Sequence, residues 1–387
     1  MKIHLKALPR RRAAALLTTF ATAALACSLL PGTAEASNVA QAGKPSRFGF
    51  MLPGLTGFTS PSVQQFADLA QTQLDPNISA PLPGNADNPA LPSGFTYLGQ
   101  FIDHDLTKDL LPQPSTPVDP TTLVSGRNFR FDLDSVYGGG PDRSPQLYEA
   151  DRLHFKVQNP NPNGVRDLPR NPDGSAILVE GRNDENEIIS QIHTAFLLFH
   201  NKLIDRGYDF GYAQRTTINY YRWIVLRDFL PHIVGQDVID GLRNGTIPRL
   251  YNPGSDKSPM TPVEFSVAAY RFGHSQVRLA YVINDEKVGA TGTAQNKIQV
   301  FNATNTGPDG QGDLRGGRQL PATREIDWGN FFPAVEEADA DPTEANISRK
   351  IDILISRSLF NLPIPGAEAS GSNVLGFRNM RVGCEGL

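Results

Sequence analysis

Three amphipathic helical stretches stand out from a chain otherwise broken by proline and glycine, and that contrast most limits its fold. The first covers roughly 95–110, with Phe95, Leu98, Ile102 and Leu106 on one apolar stripe. The second starts near Asp184 and runs to about Arg206. Asp184 and Glu187 have capping-box spacing, and Ile188, Ile192, Ala195, Phe199 and Leu203 form its buried stripe. The third opens at Thr261-Pro262-Val263-Glu264, read as cap, N1 proline and N3 glutamate. It continues through Ala268, Arg271, His274 and Arg278 on one face. Between them, 77–95, 111–127, 157–175 and 304–322 are loop-rich, and 31 Pro and 35 Gly are spread along 387 residues without any internal repeat. The expected fold is mainly α, a helical core with long irregular loops and little β. Loops of that length fit a chain that wraps something.

Residues 1–36 read as an export signal. Lys2 to Arg12 form a basic start, Ala13 to Leu30 an apolar stretch, and Ala34-Glu35-Ala36 a cleavage site before Ser37. The mature domain is then 37–387, in a secreted, periplasmic or extracellular setting, and no other apolar run is long enough to span a bilayer. The signal holds five cations and one acid of a chain whose net charge is −4, so the mature body carries −8. Such a body is a poor match for nucleic acid or anionic lipid. Cleavage leaves one cysteine, Cys384, so no internal disulfide is available. Stability must come from the core, a cofactor or a metal.

Three segments carry the chemistry. Gly94-Phe-Thr-Tyr-Leu-Gly-Gln-Phe-Ile-Asp-His-Asp105 sets an imidazole between two carboxylates, with Gln100, Asp103 and His104 on one helix face by i+3 and i+4 spacing. Alone, it reads equally well as a helix end with solvated aspartates and a satisfied histidine. Arg182-Asn-Asp-Glu185 opens the second helix, and Tyr270-Arg-Phe-Gly-His274 puts a histidine on an apolar one.

Taken together, in this order and with Val136-Tyr-Gly138 between them, these segments resemble the animal-type haem peroxidase family of the peroxidase–cyclooxygenase superfamily, over about 90–380. Phe377-Arg378-Asn379-Met380-Arg381 is a looser match to the family's Arg-Asn motif. The resemblance implies haem b as cofactor, with His274 as proximal iron ligand and Asn379 accepting from its other ring nitrogen. His104 would be the distal base that moves a proton between the oxygens of hydrogen peroxide, leaving water and a ferryl haem. Arg182 would stabilise charge as the bond breaks, Gln100 would bond a distal water or halide, and Arg271 would help hold the cofactor. Asp103 and Glu185 match positions that form ester links to haem in relatives. Asn186 stands where a sulfonium-forming methionine would be, which excludes that third link.

The resemblance also implies calcium, held by Asp105, Asn128, the carbonyl of Arg130, Asp132 and Asp134, since alternate oxygens of an extended loop can wrap a hard cation. The partners implied are hydrogen peroxide and a small reducing donor such as a halide, thiocyanate or phenol. Two other readings stay open. A fatty-acid dioxygenase of the superfamily would carry a tyrosine three residues before the proximal histidine, where this chain has Arg271. An inactive, truncated haem-binding homologue would account for a chain that stops soon after Arg381. His193 and His200 read as core or surface residues, His154 and His232 have no evident partner, and Asn77, Asn302 and Asn346 head glycan-acceptor triplets.

Overall fold

The structure, a computed structural model, describes residues 47–52, 62–74, 87–108, 125–128, 130–160, 164–251, 260–288, 294–302, 312–333, 346–362 and 375. The expected signal, Asn77, Asn379 and Cys384 lie outside these residues. The main helices are α1 (Val63–Gln71), α2 (Ser93–Leu106), α3 (Glu187–Asp205), α4 (Phe210–Ile224) and α5 (Gln236–Asn244). Among the described residues, six short strands form three two-stranded sheets. These are β1 (Arg47–Gly49) parallel to β3 (Met260–Pro262), β2 (Asp87–Pro92) antiparallel to β6 (Ile347–Arg349), and β4 (Ala280–Val288) antiparallel to β5 (Ala294–Gln299). Helices dominate, as the sequence implies.

Helix α2 runs through the middle of the core. Nearly all its residues are buried, so it is packed on every side rather than along one stripe. No side chain caps its start; instead the Ser93 N–H donates to the Asn346 carbonyl at 2.8 Å. Gly94 has no room for a Cβ, because the Phe332 ring occupies that place. Phe101 stacks on Phe196 of α3, centroids 5.1 Å apart, and meets Tyr221 of α4 edge-on. Helix α4 continues through a π-helical turn, Val225–Phe229, into Leu230–Val234. That register brings His232 onto Phe95, stacked at 4.2 Å.

Two helix readings need correction. The second helix is capped by Asn186, whose Oδ1 accepts from Ile188 and Ile189 N–H; Asp184 lies in a separate 3-10 turn, Gly181–Asp184, with its carboxylate on Arg170. Tertiary pairing with Arg170 outcompetes the capping box. The third helix is broken into pieces: Val263–Val267, a 3-10 turn Ala269–Phe272, and Gly273–Gln276. Thr261 belongs to β3, and Glu264 accepts from the Met51 and Leu52 amides rather than closing a capping box. The Val-Glu-Phe-Ser-Val run propagates a helix weakly, and Tyr270 is drawn to donate to the Gly99 carbonyl. Arg278 therefore leaves the His274 face and pairs with Asp87 at 2.7 Å.

Candidate active site

Helix α2 delivers Gln100, Asp103 and His104 on one face, and the 180–187 turn delivers the facing wall. His104 is 4% exposed. Its Nδ1 lies 2.9 Å from Asn183 Oδ1, and its Nε2 lies 3.9 Å from Glu185 Oε2. Burial, then the nearby Arg182 charge, lowers its pKa to about 3, so the ring is neutral at ordinary pH and keeps one nitrogen lone pair free. Glu185 is 49% exposed at its side chain while Asp184 and Asn186 beside it are buried, so it faces open space next to His104. Protein crowding its other sides pushes its carboxyl above the usual range, against the pull of Arg182. Gln100 has two protein partners. Its Nε2 donates to Glu185 Oε2 at 3.0 Å, and its Oε1 accepts from Asn186 Nδ2 at 3.1 Å.

Arg182 is held in place by a residue that the sequence did not single out. Glu180 is 1% exposed and accepts from Arg182 Nε and Nη2 and from Arg127 Nε and Nη2. Burial opposes its ionisation, but the two guanidiniums outweigh it and hold the carboxyl well below its ordinary range. Arg182 also donates to the carbonyls of His104 and Thr107, which ties it to the end of α2. Asp103 accepts from Thr107 Oγ1 at 2.9 Å and lies 3.9 Å from Arg182 Nη1.

The His274 segment lies against the same helix, since Tyr270 Oη donates to the Gly99 carbonyl at 3.2 Å. Burial, then Arg271, lowers His274 to about 3, which leaves a neutral imidazole, the form that ligates a metal. The Arg271 charge depresses His104 as well. One guanidinium therefore acts on both histidines. A set of two neutral imidazoles, two arginines and two carboxylates around one helix fits a haem pocket.

Asp105 turns the other way, into a second cluster. One oxygen each of Asp105, Asp132 and Asp134 lie within 4.8 Å of one another. Asp105 accepts from Ser135 Oγ at 3.0 Å and from the Leu133 N–H. Burial, then Asp132, raises Asp105 to about 6, and burial raises Asp134 to about 7 despite Arg127. Asp132 Oδ1 and Asp134 Oδ1 are buried without a hydrogen-bond partner. Phe131 and Leu133 adopt φ of 47° and 56°, a backbone that β-carbon residues rarely take. Crowded, under-satisfied carboxylates on a strained loop fit a hard cation. The other two expected ligands have protein partners of their own. Asn128 turns its Nδ2 to Asp132 and Asp134, and the Arg130 carbonyl accepts from Arg222 Nη2 at 3.1 Å. A carbonyl oxygen has two lone pairs, so this bond leaves one for a cation.

The remaining described histidines all have partners. His193 Nδ1 meets Asn183 Nδ2 at 3.0 Å, and His200 bridges Tyr137 Oη and the Leu153 carbonyl. His154 lies between Asp151 and Asp205, and His232 donates to the Asp228 carbonyl. The Asp151 and Asp228 spacings are local to the sequence; Tyr137, Leu153 and Asp205 come from distant segments. Asn346 is buried with both ends of its amide on the Val282 backbone, so it is no glycan acceptor in the folded chain.

A helical core with a deep imidazole on one helix, an arginine facing it from the next turn, a second, half-buried imidazole against the same helix and an acidic loop at its end defines the haem-peroxidase class of fold. The family model for animal haem peroxidase matches residues 112–313, and the chain belongs to that family. It is 29% identical over 170 residues to a chorion peroxidase of Aedes aegypti, covering 38% of this chain and 21% of that one. It is also 29% identical over 276 residues to a peroxidase-like protein of Margaritifera margaritifera, covering 53% and 33%. The chain thus spans between a fifth and a third of the length of these relatives. Among solved structures, peroxidase A from Dictyostelium discoideum shares the fold, with a TM-score of 0.52 at 17% identity over 88% of this chain and 72% of that one. Among the described residues, no helix is long and apolar enough to cross a membrane.

Proposed function

We propose that this chain is an exported haem peroxidase that reduces hydrogen peroxide and oxidises a small donor, a halide, thiocyanate or phenol. The observation that carries this reading is the neutral, buried His104 with its Nε2 toward the open space at Glu185 and Arg182 fixed beside it. Residues 1–36 would be the signal and 37–387 the peroxidase domain. When bound, haem supplies the redox-active iron that takes up peroxide and holds its oxidising equivalents. His274 would hold it from one side, with Asn379 and Arg271 supporting, and Asp103 and Glu185 are the carboxylates available to link it covalently. Calcium would sit among Asp105, Asn128, the Arg130 carbonyl, Asp132 and Asp134, and so fix the end of α2.

On the facing side His104 Nε2 accepts a proton from one peroxide oxygen and returns it to the other, which leaves as water. The imidazole ends neutral, as it began. Arg182, always cationic, stabilises the negative charge that develops on the departing oxygen. Gln100, which donates to Glu185 Oε2 beside His104, would bond a distal water or halide. The test is stopped-flow reaction of haem-loaded chain with peroxide. His104→Ala should keep haem and slow peroxide cleavage on the order of 10²–10⁴-fold. Equal rates in the two proteins would reject the reading.

A further inference from the structure

Asn183 sits at the centre of a short polar chain that none of the roles above uses. It is fully buried at 0% exposure in the Gly181–Asp184 turn. Its Oδ1 lies 2.9 Å from His104 Nδ1, and its Nδ2 lies 3.0 Å from His193 Nδ1. His193 is itself 1% exposed on α3 and meets the Phe101 ring edge-on at 6.2 Å.

A side-chain amide has one end that only accepts and one that only donates, whereas the Nδ1 of a neutral imidazole does one or the other according to tautomer. An amide between two Nδ1 atoms is therefore satisfied only when the two rings adopt opposite tautomers. Here Oδ1 faces His104, so His104 carries its proton on Nδ1 and its Nε2 is bare. Nδ2 donates to His193, so His193 Nδ1 is bare and its proton is on Nε2. Turning the amide over would invert both rings together and place a proton on His104 Nε2, where a base needs a lone pair.

We infer that Asn183, anchored by His193, is a positioning residue that locks His104 into the tautomer with a bare Nε2 facing the pocket. Its value for catalysis rests on the peroxidase reading; the tautomer lock does not. A proton taken up at Nε2 leaves the Nδ1–H bond to Asn183 Oδ1 in place, and its release restores the starting tautomer. The ring neither turns nor changes partners during the cycle. The sequence gives no sign of this, because His193 approaches from a different helix.

The measurement is nitrogen NMR of the full chain with ¹⁵N-labelled histidine rings at neutral pH, assigned with His104→Gln and His193→Gln. The expected result is His104 protonated at Nδ1 and His193 at Nε2. In Asn183→Asp a carboxylate accepts from both sides, so His193 should move its proton to Nδ1 while His104 keeps its own. Asn183→Leu removes the bridge; His104 should no longer show a single tautomer, and haem-loaded chain should cleave peroxide on the order of 10²-fold more slowly. In the unmodified chain, His104 protonated at Nε2 or two rings with the same tautomer would overturn the inference, as would an Asn183→Asp chain with His193 unchanged. Asn183→Asp keeps the shape of the side chain and so serves if the leucine variant fails to fold. The expected tautomers in a chain that does not turn over peroxide would uphold this inference and reject the peroxidase reading.

Discussion

Glu180 and Arg182 are joined through both carboxylate oxygens, Oε1 at 3.0 Å from Nε and Oε2 at 3.1 Å from Nη2. The same carboxylate takes Arg127, whose Nη1 lies 3.6 Å from Asp134 of the acidic cluster. A single buried anion therefore stands between the arginine of the pocket and the arginine of the cation loop.

Removing that anion leaves charge without its partner. Glu180→Gln should destabilise the fold by about 3–5 kcal/mol, as breaking a buried ion pair from one side does. Arg127 is the more deeply buried of the two cations and should dominate the loss, since Arg182 keeps some access to water. Urea unfolding of the two chains measures it, and a difference below about 1 kcal/mol, the size of an exposed pair, would count against the arrangement.

Calcium should stabilise the chain by mass action. At a free concentration a hundred times its dissociation constant the gain is about 2.7 kcal/mol. Chelation should lower Tm, and Asp132→Asn should lower it without responding to chelator. A chelator-insensitive Tm in the unmodified chain would speak against the cation.

The loop around residues 312–318 lies on the backbone that carries Glu185. Gly316 N–H donates to the Glu185 carbonyl at 2.9 Å, and a Cβ at Gly316 would overlap the Asp184 carbonyl oxygen. Both groups are backbone, so neither can swing aside. Gly316→Ala should cost about 1–3 kcal/mol by overpacking, while Gly181→Ala, which meets open space, should barely move Tm.

His154 ties the 148–155 loop to the end of α3 through Asp151 and Asp205. Burial opposes its charge, but the two carboxylates outweigh it and raise its pKa above the ordinary value. Stabilisation from a raised histidine is full below about pH 6.5 and is lost as pH rises through the folded value. The burial of Asp151 is slight, and hydrogen bonds from Leu153 and His154 lower it, so its share is lost as pH falls through that lowered value. The Tm difference between the chain and His154→Gln should therefore shrink as pH rises above neutrality. A difference that grew instead would contradict the pairing.

Much of this site was legible along the chain. Gln100, Asp103 and His104 share a face because helical spacing requires it, and α2 forms where the apolar stripe says it should. Helix ends were less legible. Asp184 had the right spacing for a cap, but Arg170 approaches from another loop and takes its carboxylate. The helix expected through His274 breaks because Tyr270 and Glu264 find partners far off in sequence. Glu180 is not singled out along the chain, Asn183 has no role of its own within its motif, and His193 reads only as a core or surface residue, which its burial fits. Their roles are relations between segments: each acts by what it holds, and only the fold brings those partners together.

The central claim is that His104 and His274 serve one haem from its two sides. It is tested most directly by the absorption spectrum of the full chain, expressed with haem precursor and calcium, before and after one addition of peroxide. A Soret band that shifts on peroxide and relaxes with a phenolic donor is the expected result. The band should be lost in His274→Ala, and in His104→Ala it should be present but slow to respond. A chain with no Soret band, or with one that ignores peroxide, would contradict the account.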